Sequence, residues 1–200
     1  MKYAKMLGLL AIVAAAVMAF AGSASATELT NSASGTKVAK GDTIHAENES
    51  NTVLDGTVNI TCKKSTVDGT VSNAGGASAT VEGSISSLTF TECGANTVTV
   101  STGGELILHA IGSGNGTLTS SKAKVTVLTH NILGTVHCIY TTGATHIGTL
   151  TGSNNLGGNT ATLHIDSAAI PQESTDFGCG NDAEWTGDYL VDSPMYLSVD

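Results

Sequence analysis

The sequence predicts an all-β fold, either an antiparallel β-sandwich or a jelly-roll-like domain with two disulfides. After residue 50, apolar and polar residues alternate with a period of two, which is typical of strands with one buried and one solvated face. Clusters of Gly, Asn and Ser, such as NAGGAS, GSGNG and GSNNLGGN, interrupt the alternation as turns do. No stretch after residue 26 has apolar residues at helical spacing. These patterns indicate about ten to twelve short strands in one domain.

The alternation also predicts which side chains share a buried face. These sets are Val67, Gly69 and Val71; Val98 and Val100; Val125 and Val127; Val136, Cys138 and Tyr140; and Leu163 and Ile165. The stretch ELILHAI (Glu105–Ile111) is an exception, because it is apolar at both parities. It predicts either a central strand covered on both faces or an exposed strand used for assembly.

Three near-copies of one phrase, VLDGTVNI, TVDGTVSN and TVEGSISS, raise a short β-solenoid as the alternative fold. Their acid–Gly pairs start at Asp55, Asp68 and Glu82, so the spacing is 13 and then 14 residues. However, the phrase fades after residue 92, and a disulfide between Cys62 and Cys93 would join different points of the coil two rungs apart. We therefore expect neighbouring strands of a meander that bend or bulge at each acid–Gly step.

The four cysteines predict two disulfides. Cys62, Cys93, Cys138 and Cys179 all follow residue 26 and form no C-x-x-C pair, which argues against a zinc ribbon or a redox motif. An even number of cysteines in an oxidising compartment favours disulfides, with three possible connectivities. We favour pairing 62 with 93 and 138 with 179, because each bond then closes a moderate loop and stabilises the fold by about 3–4 kcal/mol.

The first 26 residues have the pattern of an export signal. Lys2 and Lys5 provide a basic start, an apolar core runs from Met6 to Phe20, and the small residues SASA end at Ala26. The apolar run of 15 residues is shorter than the ~20 residues that cross a bilayer. The sequence thus predicts a cleaved signal peptide rather than a membrane anchor.

This signal sets the expected domain layout. We expect a signal peptide at 1–26, a flexible lead-in at 27–43, where the residues are polar and aperiodic, and a single β domain at 44–200. No later apolar run is long enough to cross a bilayer, so no membrane span is expected after cleavage. The expected location is secreted, either extracellular or at the cell surface.

Charge excludes several classes of partner. Cleavage would remove two of the eight Lys and none of the 17 Asp and Glu, leaving a formal net charge of −11, and the chain contains no Arg. Nucleic-acid binding requires a basic face, so no nucleic acid is expected as a partner. Anionic membrane surfaces are disfavoured for the same reason. We expect no cofactor, and a protein or cell-envelope partner stays open.

The usual catalytic motifs are missing. The sequence has no G-x-S-x-G and no H-E-x-x-H. The six histidines, at 45, 109, 130, 137, 146 and 164, form no i, i+4 pair on a predicted helix and no i, i+2 pair on a predicted strand. They are expected at the surface or at strand edges, and the sequence favours a non-catalytic protein.

The densest polar cluster is DFGCGNDAEWTGD, which places Asp176, Asp182, Glu184 and Asp188 around Cys179. Carboxylates in a Gly-rich loop are oxygen ligands that suit Ca²⁺, although the D-x-D-x-D-G spacing is missing. A solvated acidic loop held by the disulfide explains the cluster equally well. A glycosidase would need paired carboxylates in a cleft with more aromatic residues than this chain has.

Several phrases together resemble a family of small uncharacterised exported bacterial proteins. They are TIHAENES, SSLTFTEC, GTLTSS, HIGTLTGS and the ending WTGDYLVDSPMYLSVD, within which W-T-G-x-Y-x-V-x-S-P and L-x-V-D are the most specific parts. The resemblance spans nearly the whole chain after the signal. It implies an exported, disulfide-bearing β domain and transfers no site residue.

The functional hypothesis at this point is an exported, non-catalytic extracellular or cell-surface protein with a structural or interaction role. A secreted hydrolase, or a calcium-dependent binding module that uses the acidic loop at 176–188, is the alternative. No ligand follows from the sequence.

Overall fold

The structure, a computed structural model, contains only β-strands as regular elements in the part of the chain that it describes. It describes residues 27–31, 35–57, 59–76, 79–131, 134–153, 160–173, 178–194 and 196–199. The strands are β1 (Thr27–Asn31), β2 (Thr36–Lys37), β3 (Thr43–Asn48), β4 (Thr52–Asp55), β5 (Ile60–Cys62), β6 (Lys64–Gly76), β7 (Ala79–Thr91), β8 (Thr97–Thr102), β9 (Glu105–Gly112), β10 (Asn115–Ser121), β11 (Lys124–Asn131), β12 (Gly134–Thr141), β13 (Thr145–Thr151), β14 (Ala161–Ile170), β15 (Ala183–Ser193) and β16 (Leu197–Val199).

Eight of these strands close into an antiparallel barrel. Around the ring the order is β3, β6, β7, β9, β10, β13, β14 and β15, and β3 pairs with both β6 and β15 to complete it. The prediction of an all-β fold is confirmed. The predicted sandwich or jelly roll is wrong, and so is the alternative solenoid, because the sheet closes on itself.

The physical reason for this error is that closure leaves no local mark on the sequence. Strands of a sandwich and of a barrel both alternate between a buried and a solvated face. The difference lies in one six-residue strand, β3, which pairs with β6 on one edge and, on the other, with β15, which is distant in the chain.

Three further groups of strands lie outside the ring. β8, β11 and β12 form a separate three-stranded sheet, and the hairpin of β4 and β5 extends from β15. β1 pairs with β2, with β16 and with the end of β6. β15 is divided between two neighbours, because residues 184–186 pair with β4 whereas residues 189–193 pair with β3.

The inward side chains of the ring and those of the outer strands form one hydrophobic core. Its members include most of the predicted shared faces, such as Val71, Val127, Cys138 and Ile165, which are all buried. The stretch at 105–111 became β9, a strand of the ring with one inward face, and Ile111 is 58% exposed. This strand is therefore not covered on both faces.

The three repeated phrases lie in β4, β6 and β7. β6 and β7 are neighbours, and their register shifts at Asp68/Gly69 and again at the residues that pair with Glu82 and Gly83. Two of the three acid–Gly steps therefore lie opposite a bulge, whose extra residue, Ser86 or Ser72, belongs to the partner strand and not to the strand that carries the acid–Gly pair. β4 pairs with β5 and β15 rather than with β6, so the phrases are not three consecutive strands.

The prediction of two disulfides is confirmed, with the expected pairing. The Cys62–Cys93 bond joins the end of β5 to the segment that follows β7. The Cys138–Cys179 bond joins β12 to the segment that precedes β15. Each disulfide thus fastens an outer group of strands to a segment next to the ring.

The two N-terminal segments have different outcomes. The predicted signal peptide, 1–26, lies outside the described residues. Residues 27–43, predicted as a flexible lead-in, contain β1 and β2, and Leu29 and Val38 are each only 5% exposed. The polar composition hid this because β16, at the far end of the chain, provides the pairing. Across the described ranges, no helix is both long enough and apolar enough to cross a membrane.

Candidate functional site

The most distinctive feature of the barrel is that its interior is incompletely filled. Two apolar cavities lie within it, the first of about 90 Å³ and the second of about 120 Å³. Protein interiors normally contain few voids larger than a water molecule. Two such spaces in one small domain therefore mark the barrel interior as the candidate site.

The two cavities are separated by a single layer of side chains. Among the described residues, four line both cavities: Val67, Ile85, Leu106 and Leu163, from β6, β7, β9 and β14. All four are only half-buried although they line the interior. We call these four residues the dividing layer.

Different outer strands cover the two cavities. The three-stranded sheet contributes Val98, Val125, Val127 and Tyr140 to the first cavity, and β4 and β5 contribute residues between 52 and 62. The second cavity is covered by β1 and β16 through Leu29 and Leu197. The cavities therefore lie on opposite sides of the dividing layer, and each has its own cover.

Aromatic side chains are concentrated at the first cavity. Phe90, Tyr140, Trp185 and Tyr189 all line it. The Trp185 ring lies 6.1 Å from Phe90 and 6.2 Å from Tyr189, both edge-to-face. Edge-to-face packing holds the indole in a defined orientation. Trp185, the chain's single tryptophan, therefore packs against the core and forms part of a cavity wall.

Most polar groups of the first cavity have partners within the protein. The Ser120 and Thr142 hydroxyls lie 3.1 Å apart, and the Thr142 hydroxyl also accepts a bond from the Ala123 backbone N–H. The Tyr189 hydroxyl lies 2.9 Å from the Ser65 hydroxyl. Burial raises the pKa of Tyr189 above its usual range, so this phenol stays protonated.

Two other polar groups of the same cavity differ from these in their hydrogen bonding. The Tyr140 hydroxyl and the Trp185 indole nitrogen are both buried, and neither has a hydrogen-bond partner among the described residues. Tyr140 is 2% exposed, and burial raises the pKa of its phenol, so the hydroxyl is a neutral donor. Buried polar groups are paired in the large majority of proteins. Two unpaired donors in one apolar cavity therefore need an explanation.

One disulfide lies in the wall of this cavity, and the other holds a strand that contributes to the wall. Cys62 itself lines the cavity. Cys138 lies two residues before Tyr140 on the same inward face of β12, and both are buried. Backbone bonds add to this support, since the Thr141 N–H donates to the Pro171 carbonyl and the Glu173 N–H donates to the Ile139 carbonyl.

The residues predicted for a calcium site do not converge in the described part of the chain. Asp176 lies outside it. The Asp182 carboxylate accepts a bond from the Gln172 backbone N–H at 3.1 Å. Glu184 and Asp188 are four residues apart on β15, hence about 13 Å apart. Ligands of one Ca²⁺ must all lie within about 2.6 Å of the ion.

A second polar group lies on the outside of the ring, where β3 meets β6 and β15. The His45 Nδ1 atom lies 2.6 Å from Asp68, and its Nε2 atom faces Glu47 at 3.4 Å and Asp192 at 4.0 Å. The hydrogen bond to Asp68 is the main cause that raises the pKa of His45. A protonated imidazole donates to Asp68 and Glu47 and places its positive charge near Asp192.

The spacing His45-Ala46-Glu47 was the available signal for this second group, because residues two apart on a strand share a face. The spacing between histidines does not reveal this group, because its other members are acids. The cavity aromatics Tyr140 and Trp185 also left a signal, since both have the inward parity of their strands.

Together these features define a class: a closed, eight-stranded, antiparallel β-barrel with two apolar cavities in its interior. Two groups of outer strands, each fastened by one disulfide, cover the first cavity. Comparison with protein-family models, with curated proteins and with solved structures finds no match to this chain. The geometry of the chain itself must therefore support any assignment of function.

Proposed function

We propose that this protein is an exported, non-catalytic binding protein that holds a small apolar molecule inside its barrel. The observation that carries the proposal is the first cavity, an apolar space of about 90 Å³ inside a closed ring of strands. Eight-stranded barrels have an interior that side chains just fill or that holds one small ligand. The incomplete filling here supports the second use.

The composition of the cavity wall supports binding rather than catalysis. Among the described residues that line the first cavity there is no Asp, Glu, Lys or His, and its cysteine is in a disulfide. General acid–base and nucleophilic catalysis rely on such groups. Apolar walls with a few polar groups are typical of ligand-binding pockets.

Export is part of the proposal. The pattern at 1–26 predicts a signal peptide, and disulfides persist mainly in oxidising compartments. A protein that carries an apolar compound outside the cell needs a shielded interior, because water excludes such compounds.

Benzene is a suitable first probe, because it is apolar, uncharged and compact and because Trp185 reports on this cavity. We expect a saturable change in tryptophan fluorescence. At a 100-fold excess over its dissociation constant, benzene should add about 2.7 kcal/mol to the free energy of unfolding. For a domain of this size that corresponds to a rise in Tm of roughly 5–10 °C.

A pair of variants on β11 locates the binding. Val125 lines the first cavity, whereas the next residue, Thr126, does not. Val125→Phe should fill the space and abolish the response, and Thr126→Phe should leave it intact, because adjacent side chains on a strand point to opposite faces. A response that never saturates, or that Val125→Phe leaves unchanged, would contradict the proposed function.

A further inference from the structure

We propose that the ligand of the first cavity is an uncharged, compact molecule with one oxygen acceptor, bound by the Tyr140 hydroxyl and the Trp185 indole N–H. This inference rests on the proposed function and specifies its ligand. Its basis is that these two buried donors have no partner among the described residues and line the same apolar cavity.

The other polar groups of the wall show why these two donors stand out. The hydroxyls of Ser120, Thr142 and Tyr189 are each hydrogen-bonded within the protein, and the Thr52 hydroxyl donates to the Cys62 carbonyl at 3.4 Å. The wall therefore satisfies its own polar groups wherever a neighbour is in reach. The two exceptions are the groups that can act on a ligand.

The donor types set the chemistry of the ligand. An indole N–H can only donate, and a phenol can donate or accept. A ligand that satisfies both must present an oxygen lone pair, as a ketone, an ester or an alcohol does. A ligand group that can only donate a hydrogen bond would leave the Trp185 N–H without an acceptor.

The absence of charge in the wall sets the ligand's charge. No Lys or His is among the described residues that line this cavity, and the chain has no Arg. A carboxylate would lose its hydration there without a counter-charge, which is strongly unfavourable. Fatty acids in their ionised form are thereby disfavoured, and neutral oxygen compounds are favoured.

The volume sets the size. An engineered cavity of about 150 Å³ in another protein accepts benzene, so a space of about 90 Å³ suits a molecule no larger than benzene. A longer molecule would have to displace the dividing layer to reach the second cavity. The ligand class is therefore a compact ketone, ester or alcohol.

A matched pair of probes tests this inference. Cyclopentanone and methylenecyclopentane have nearly the same shape, and only the ketone has an oxygen acceptor. Because the ketone is better hydrated, the quantity to compare is the ratio of their dissociation constants in each protein. We expect Tyr140→Phe to weaken cyclopentanone about tenfold and to leave methylenecyclopentane unchanged, as loss of one buried hydrogen bond predicts.

Tyr189→Phe is the matched control. Tyr189 lines the same cavity, but its hydroxyl is already bonded to Ser65, so the ratio should stay at the wild-type value. Trp185→Phe is the second test of the donors and should also reduce the preference for the ketone. If either Phe variant of a donor fails to fold, the other still decides the result. Binding to Trp185→Phe is followed by Tm and by the ¹³C shift of the labelled carbonyl, because that variant lacks tryptophan fluorescence.

The outcomes separate this inference from the proposed function. If both probes bind and neither donor variant changes their ratio, the donors play no role and the inference is wrong while the proposed function stands. If cyclopentanecarboxylate binds the wild type as tightly as cyclopentanone at pH 7, the requirement for a neutral ligand is wrong. If neither benzene nor either matched probe binds, the proposed function fails.

Discussion

Tyr140 and Tyr189 show how the same side chain has opposite roles at two positions of one cavity. Both are almost fully buried, with exposures of 2% and 1%. The Tyr189 hydroxyl is paired with Ser65, whereas the Tyr140 hydroxyl has no partner among the described residues. A buried hydroxyl without a partner destabilises the folded state, and a paired one contributes to it.

Removing the two hydroxyls should therefore have different effects on stability. Tyr189→Phe should lower the free energy of unfolding by about 1–2 kcal/mol, because it leaves the buried Ser65 unpaired. Tyr140→Phe should leave it unchanged or raise it by up to about 1 kcal/mol. Urea denaturation without added ligand measures both. Equal losses in the two variants would show that Tyr140 already has a partner in the protein.

Two histidines on the outside of the ring, one half-buried and one exposed, should make stability depend on pH. His45 pairs with Asp68, and His164 pairs with Asp188 at 2.5 Å. These hydrogen bonds are the main cause of a raised pKa at each histidine, with smaller contributions from Glu47 and Asp192 at His45 and from Asp166 at His164.

The direction of the effect follows from those raised pKa values. The stabilisation of the folded state by the two histidine–aspartate pairs is complete below the ordinary histidine pKa of 6.5. It is lost as pH rises through the folded-state pKa of each histidine. The double variant His45→Gln with His164→Gln should lose this part of the pH dependence. Unfolding curves from pH 5.5 to 8.5 measure the difference. Parallel profiles for the wild type and the variant would contradict the assignment.

At the scale of elements, the outer strands form part of the candidate site. The three-stranded sheet and the β4–β5 hairpin cover the first cavity, and each is fastened by one disulfide. β12 is also joined by backbone bonds to the segment that follows β14. The covers are therefore parts of the site, and their attachment should control both stability and binding.

Loss of the second disulfide tests this role. The double variant Cys138→Ala with Cys179→Ala opens a loop with a sequence separation of 41 residues, which should lower the free energy of unfolding by about 3–4 kcal/mol. It should also weaken benzene binding, since Val125 and Tyr140 belong to the loosened sheet. Denaturation and fluorescence titration measure the two effects. Binding at wild-type strength would show that this sheet does not shape the cavity.

For the whole molecule, the closure of the ring by β3 is the decisive event. In a sandwich, this strand could lie at an edge, with half of its backbone groups open to solvent. In the ring, β3 pairs with β6 on one side and with β15 on the other. Closure removes both edges at once and encloses the interior.

Hydrogen exchange distinguishes the two arrangements. Amides of β3 should exchange at the rate of global unfolding, together with those of β6 and β15, because both edges of β3 are bonded. The short hairpin strand β5, whose outer edge pairs with no strand among the described residues, provides the comparison and should exchange faster. Fast exchange at every second residue of β3 would indicate an open edge and would contradict closure.

Much of this molecule could be predicted from local sequence patterns. The period-two alternation identified the inward residues of β12 and β14, such as Cys138 and Ile165, because the pleat of a strand is a local property. The cysteine arithmetic identified both disulfides. Local patterns did not predict β1, because the polar segment at 27–43 is held by pairing with β16, about 170 residues further along the chain.

By itself the sequence determined an all-β chain, its inward faces and its two disulfides, since each depends on residues close together or on a few distinctive side chains. Only the tertiary structure decided that the sheet closes into a ring, that the dividing layer leaves two cavities, and that Tyr140 and Trp185 find no hydrogen-bond partner there among the described residues. The physical reason is that closure and packing depend on distant strands meeting. An unfilled volume or an unpaired donor exists only once every neighbour has its place.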